Sequence, residues 1–192
     1  PQREGRVDSL RVLLVNPPSP NGKDIIIRDV NRSGRVSREG TIWPQTSLAL
    51  IAAVLDEAGC AVKIEDCIAE RTDYQTLYRR MQEWQPTHVI IESVSCTIVH
   101  DMVVAHYAKY LGAVTILISP HGEALADETA RRFPAVDEIV HYEKHEEPEY
   151  VIRELITGRH RTSQEVFSSL PPAAHHLLPL SRYTLPLIGA GY

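Results

Sequence analysis

Apolar and polar positions along this chain fall into blocks that switch between a strand-like and a helical period. Leu10–Asn16 is a continuous apolar run, the pattern of a parallel strand covered on both faces. Leu48, Ile51, Ala52 and Leu55 then recur at helical spacing, with Pro44 suited to a first turn and Gly59 to a left-handed stop. Ala61–Asp66 alternates, Val62 and Ile64 against Lys63 and Glu65, which predicts a less covered edge strand. Asp73–Trp84 reads as a helix with Leu77, Met81 and Trp84 inward and Pro86 ending it. His88–Glu92, Ala113–Ser119 and Val136–His141 read as strands, and Asp101–Leu111, Glu123–Phe133 and Glu146–Ile156 as the helices between and after them.

Five βα units in succession predict an α/β domain: a Rossmann-like (flavodoxin-like), doubly wound, five-stranded parallel sheet with helices on both faces. The edge character of the second strand suits the order 2-1-3-4-5, which places the switch point between strands one and three. Residues 1–158 form this domain. Residues 159–192 change character, with prolines, the pair His175-His176 and no period, and read as a linker or docking segment. The apolar ending "SRYTLPLIGAGY" reads as a cut between two domains.

Composition narrows the partners. At 43% hydrophobic and 23% charged residues the 192-residue chain has enough apolar content for a full core. A net charge of −5 without a long basic run argues against nucleic acid. No apolar stretch reaches the ~18 residues of a membrane span, and Pro1-Gln2-Arg3-Glu4 is no signal peptide, so the cytoplasm is the expected compartment. Cys60, Cys67 and Cys96 fit no metal or cluster spacing and read as buried or half-buried thiols.

Four loops converge on the carboxyl edge of such a sheet, where open α/β folds hold ligands. Ser93-Val94-Ser95-Cys96-Thr97 offers hydroxyls and small side chains; it reads equally as a Ser/Thr turn capping the third helix. Pro120-His121-Gly122 and Tyr142-Glu143 follow strands four and five. The loop Pro17–Ile42 is longer than the ~12–15 residues usual for structureless connections, and carries Arg28, Arg32, Arg35 and Arg38 with Asp24 and Asp29. Those arginines either grip a ligand or a neighbouring domain, or belong to a solvated loop. His100, His121, His141 and His145 lie near that edge, but only the weak His141-x3-His145 has ligand spacing, so no metal site is expected. His88 is structural and His175-His176 solvated on the same reading. No P-loop or Gly-x-Gly-x-x-Gly is present, and Asn16 and Ser93 lack the acidic residues of a receiver domain.

The words "VNPPS", "WP…SLALIAAVLDEAG", "VKIEDC", "PHG" and "FPAVDEIVHYEKHEEPE", in this order, resemble one family over roughly residues 10–160. It is the amino-terminal cobalamin (vitamin B12)-binding domain of cobalamin-dependent radical S-adenosylmethionine enzymes. The chain departs from that family at Ser119, where glycine is common, and at Tyr142, which replaces the glycine before Glu143. The resemblance implies a corrin laid over the strand ends with its nucleotide tail in the crevice. The contacts it implies are Asn16, Pro17, Pro18, Ser19, Trp43, Ser93, Val94, Ser95, Cys96, Thr97, Pro120, His121, Gly122, Tyr142 and Glu143. Trp43 then either shields the lower face of the corrin or packs on the core at the helix start. Asp-x-His-x-x-Gly is absent after strand one, where Asn16-Pro17-Pro18-Ser19 stands, so cobalamin is expected base-off without a protein histidine. The Cys-x3-Cys-x2-Cys of the family's iron–sulfur cluster is also absent.

The resemblance therefore implies the cobalamin portion of a larger enzyme, inactive alone. The parent chain would add a radical S-adenosylmethionine barrel with an iron–sulfur cluster and S-adenosylmethionine. That barrel would act on a small-molecule substrate, as a methyltransferase using methylcobalamin or in related ring-closing or oxidative chemistry. The competing readings are a free-standing cobalamin carrier or sensor, and a flavodoxin-like domain that binds something else.

Overall fold

A computed structural model describes residues 10–28, 35–37, 40–119, 126–141, 147–160 and 170–184. Its elements in chain order are β1 (Arg11–Asn16), β2 (Ile26–Ile27), β3 (Arg35–Val36), α1 (Thr46–Glu57), β4 (Ala61–Asp66), α2 (Tyr74–Trp84) and β5 (His88–Glu92). They continue with α3 (Ile98–Tyr110), β6 (Val114–Ser119), α4 (Ala126–Arg132), β7 (Glu138–His141) and α5 (Pro148–Thr157), followed by two short 3-10 turns.

The fold is mixed α/β, with one five-stranded, all-parallel sheet ordered β4-β1-β5-β6-β7. The long loop read as irregular contains β2 and β3, an antiparallel hairpin. In chain order the sheet therefore reads 4-1-5-6-7, in place of the 2-1-3-4-5 written for a chain of five strands. The alternating strand β4 takes one edge. Glu65 is nevertheless buried there, because Lys63 and Arg80 fold over its carboxylate.

Alternate side chains of each central strand face opposite layers. Val12, Leu14, Ile90, Ile116 and Ile118 pack with Leu48, Ile51 and Leu55 of α1 and Ile152 and Ile156 of α5. Leu13, Val15, Val89, Ile91 and Leu117 pack with Leu77 and Met81 of α2 and Met102 and Val104 of α3. Helices thus cover both faces, which is why the central strands tolerate unbroken apolar runs.

Helix α1 is buried more widely than its predicted stripe, with Ala49, Ala53 and Val54 also enclosed. Its outer side is covered by residues 170–184: the Ala174 N–H donates to the Ala49 carbonyl at 2.9 Å, and Ala174 and Leu178 join the core. Helix α2 begins where Asp73 accepts from the Thr76 N–H at 2.7 Å and ends at Gln85, which is left-handed ahead of Pro86. Gly158 closes α5 at φ 65°.

Several boundaries move. Helix α3 starts at Ile98, ahead of Asp101, because a turn at Val94–Thr97 already brings the chain into helix. Strands β6 and β7 start at Val114 and Glu138, one and two residues later than read. Helix α4 is described from Ala126, and residues 123–125 lie outside the described part.

Candidate functional site

The chain leaves β1 toward α1 on one face and leaves β5 toward α3 on the other. These loops diverge at the carboxyl ends of two adjacent parallel strands, the topology that opens a ligand crevice. In this protein an arginine fills it.

Arg28 follows β2 and is enclosed by the fold; its side chain and that of Asp101 are both 0% exposed. Nη1 donates to Oδ1 of Asn16 at 3.0 Å and to the Pro17 carbonyl at 2.8 Å. Nη2 donates to Oδ1 of Asp101 at 2.8 Å. The other Asp101 oxygen accepts from the hydroxyls of Ser93 and Thr97, each at 2.7 Å. Asp101 sits in the first turn of α3, where the exposed N–H groups of the helix end favour a negative charge.

The network continues across the sheet edge. Asn16 Nδ2 donates to Asp66 Oδ1 at 2.7 Å, at the end of β4. Asp66 also accepts from the Ala69 N–H at 3.1 Å and from the Tyr183 hydroxyl at 2.9 Å. Burial pushes the Asp66 carboxyl above its ordinary range, partly offset by these donors. One polar chain, Asp101–Arg28–Asn16–Asp66–Tyr183, therefore ties α3, the hairpin, β1, β4 and the 170–184 segment together. On the α1 side of the crevice Ser47 donates to Glu92 at 2.9 Å.

Ile26 of the hairpin packs in a small apolar cap with Ile42, Ile68, Ala69 and Val94. The residues read as contacts divide accordingly. Asn16, Ser93 and Thr97 are buried in the polar network, and Val94 is in the cap. Thr97 does not cap α3 with its side chain; its hydroxyl turns to Asp101. Pro17 and Pro18 are buried, whereas Ser19 is half-buried and hydrogen-bonded to Asn21 at 2.9 Å. Ser95 and Cys96 are exposed, so the expectation of a buried or half-buried thiol holds for Cys60 and Cys67 but not for Cys96. Trp43 is half-buried just before α1, beside the Ile42–Thr184 bridge. Pro120, His121, Gly122, Tyr142 and Glu143 lie outside the described residues, as do Asp29, Arg32, Arg38 and His145.

Arg28 belonged to the basic loop singled out above, but Asp101 and Tyr183 were not read as site residues. Asp101 had a signal: it interrupts the apolar side of α3 formed by Ile98, Met102, Ala105 and Ala108. Tyr183 had none.

A separate pocket of about 240 Å³ lies on the β4 side of β1, between the turn around Gly22 and the β4–α2 connection. Lys23, Asp24, Arg71, Asp73 and Tyr74 surround it, with Cys67 at its wall. Burial pushes the Cys67 thiol well up, with the Glu65 and Asp66 charges adding to it. Burial, and next the charge of Asp101, push the Tyr74 phenol up to about 12. Among the described residues, no three His, Cys, Asp or Glu side chains come together as a metal site, and no helix is long and apolar enough to cross a membrane. Comparisons with protein-family models, curated proteins and solved structures returned no match.

Proposed function

We propose that this chain is a Rossmann-like cobalamin-binding domain belonging to a larger radical S-adenosylmethionine enzyme, a methyltransferase on the closest reading of its motifs. The observation that carries the reading is the switch point itself. At the "VNPPS" and "SVSCT" segments the chain leaves β1 and β5 toward opposite faces of a parallel sheet, at its carboxyl edge. Exposed Ser95 and Cys96 leave small side chains at the rim, which suits the close approach of a flat macrocycle.

The floor of the crevice does not suit the nucleotide tail as it stands, because Arg28 and Asp101 occupy it. The residues at the rim would hold and orient the cofactor, which itself would supply the chemistry.

The test is retention. The 192-residue chain is mixed with hydroxocobalamin, freed of unbound cofactor by gel filtration, and its visible spectrum recorded. Retained colour with a base-off spectrum supports the proposal. Loss of colour, both from this chain and from a longer form carrying a cysteine triplet, overturns it. The pocket of about 240 Å³ favours a second reading, a flavodoxin-like domain for a smaller ligand, since corrinoids need far more than the ~300 Å³ at the low end of ordinary sites. That reading gains if cobalamin is not retained while a small charged metabolite raises the melting temperature.

A further inference from the structure

We propose that the pocket between the Gly22 turn and the β4–α2 connection binds a small α-amino acid, its carboxylate taken by Arg71 and Lys23 and its ammonium by Asp24. The inference is independent of the cobalamin reading; it rests on the smaller-ligand reading above and names the class of that ligand.

The first observation is that the cavity is small and its walls are fixed. Its volume of about 240 Å³ lies below the ~300 Å³ at which ordinary sites begin, the scale of a small metabolite. Asn21 sets one wall, its Oδ1 accepting from the N–H groups of Lys23 and Asp24 at 3.0 and 2.9 Å. The Tyr74 hydroxyl ties the α2 wall to the β1 loop, donating to the Pro18 carbonyl at 3.3 Å. Cys67 and Ile68, both buried, give the pocket an apolar side.

The second observation is the charge around it. Lys23 and Arg71 line the pocket with Asp24 and Asp73. Asp73 is already engaged: it accepts from the Thr76 N–H at 2.7 Å, which holds its carboxyl below the ordinary range. Among the described residues the side chains of Lys23, Asp24 and Arg71 make no hydrogen bond or ion pair. Elsewhere on the surface Lys63 and Arg80 pair with Glu65, and Lys109 with Asp137. A simple anion in this pocket would meet Asp24 as a like charge, and a simple cation would meet Arg71 and Lys23. A zwitterion answers both signs, and the planar fork of an arginine matches a carboxylate with two parallel bonds.

The third observation is the backbone of Arg71, which has φ 53°, in the left-handed region that favours glycine. Gln85, the other described non-glycine residue there, closes α2 ahead of Pro86. Arg71 ends no helix. The turn keeps a guanidinium at the pocket where glycine would sit with less strain, and strain of this kind gathers at binding sites.

The experiment follows the melting temperature of the 192-residue chain with the common L-α-amino acids, one at a time, beside phosphate, succinate and ethanolamine. The amino acid giving the largest rise is then titrated calorimetrically into the unmodified chain, Arg71→Gly and Asp24→Asn. The expected result is a rise with at least one small amino acid, and binding roughly tenfold weaker or more in each variant. Arg71→Gly should meanwhile melt no lower than the unmodified chain, because glycine relieves the left-handed backbone. A merely structural Arg71 would not separate stability from binding in this way. An amino acid bound equally well by both variants overturns the site. A response to phosphate, succinate or ethanolamine with none to an amino acid overturns the zwitterion and leaves the smaller-ligand reading standing. Silence to every probe overturns the inference and the smaller-ligand reading together.

Discussion

Nη2 of Arg28 stands 2.8 Å from Oδ1 of Asp101, 73 residues further along the chain, with both side chains fully enclosed. A pair this deeply buried pays a large desolvation penalty, so its net stabilisation is small while the loss of one partner is severe. Arg28→Ala should cost about 3 kcal/mol, the low end for a broken buried pair because Ser93 and Thr97 still hold Asp101. Arg28→Met/Asp101→Asn should lie close to the unmodified chain. Urea unfolding of Arg28→Met, Asp101→Asn and the double variant measures the coupling.

Asp66 makes stability depend on pH in an unusual direction. Its carboxyl in the folded protein lies above the ordinary 3.8, because burial outweighs the bonds from Ala69, Tyr183 and Asn16. In the window between 3.8 and the raised value the folded state binds more protons than the unfolded one. This contribution is therefore present below the window and lost as pH rises through it. Asp66→Asn removes the titration, so the variant should gain on the unmodified chain as pH rises from about 4 to 7. Urea midpoints for the two proteins across that range decide it, and parallel curves would sink the assignment.

Tyr183 holds the 170–184 segment to the sheet edge through its hydroxyl on Asp66, while Thr184 pairs with Ile42. Tyr183→Phe should cost about 1–2 kcal/mol, the range for a half-buried bond to a carboxylate that keeps other donors. Backbone exchange at Ile42 and Thr184 should speed up in this variant, while β5 and β6 stay protected.

The thiols should separate by burial. Cys60 and Cys67 are buried with their pKa raised by desolvation, whereas Cys96 is exposed in the loop after β5. A thiol reagent should label one cysteine quickly in the native chain and all three after denaturation. On the proposed function, bound hydroxocobalamin slows labelling at Cys96. An unchanged rate in a protein that retains the colour would place the corrin elsewhere.

Much of the fold was legible because local periodicity reports burial directly. The apolar run of β1 marked a strand covered on both faces, β5 and β6 were legible as strands, and the alternation of β4 marked the sheet edge. Asp73 and Pro86 bracketed α2 by cap chemistry that acts within a few residues. The hairpin was not legible, since two-residue strands carry no period, and it took its place from Ile26 and Arg28 packing elsewhere.

The sheet edge was legible as a place and not as a constellation. Ser93 and Thr97 were marked by their position after a strand, but the carboxylate they serve belongs to the next helix. Arg28 looked like any loop arginine until the fold enclosed it beside Asp101, and Tyr183 had no local feature that pointed to Asp66. The alternation of residues sets which face each segment buries, because that cost is paid locally, position by position. The partner of a buried charge is set only when distant segments close around it, because no local pattern encodes which opposite charge will share its cavity.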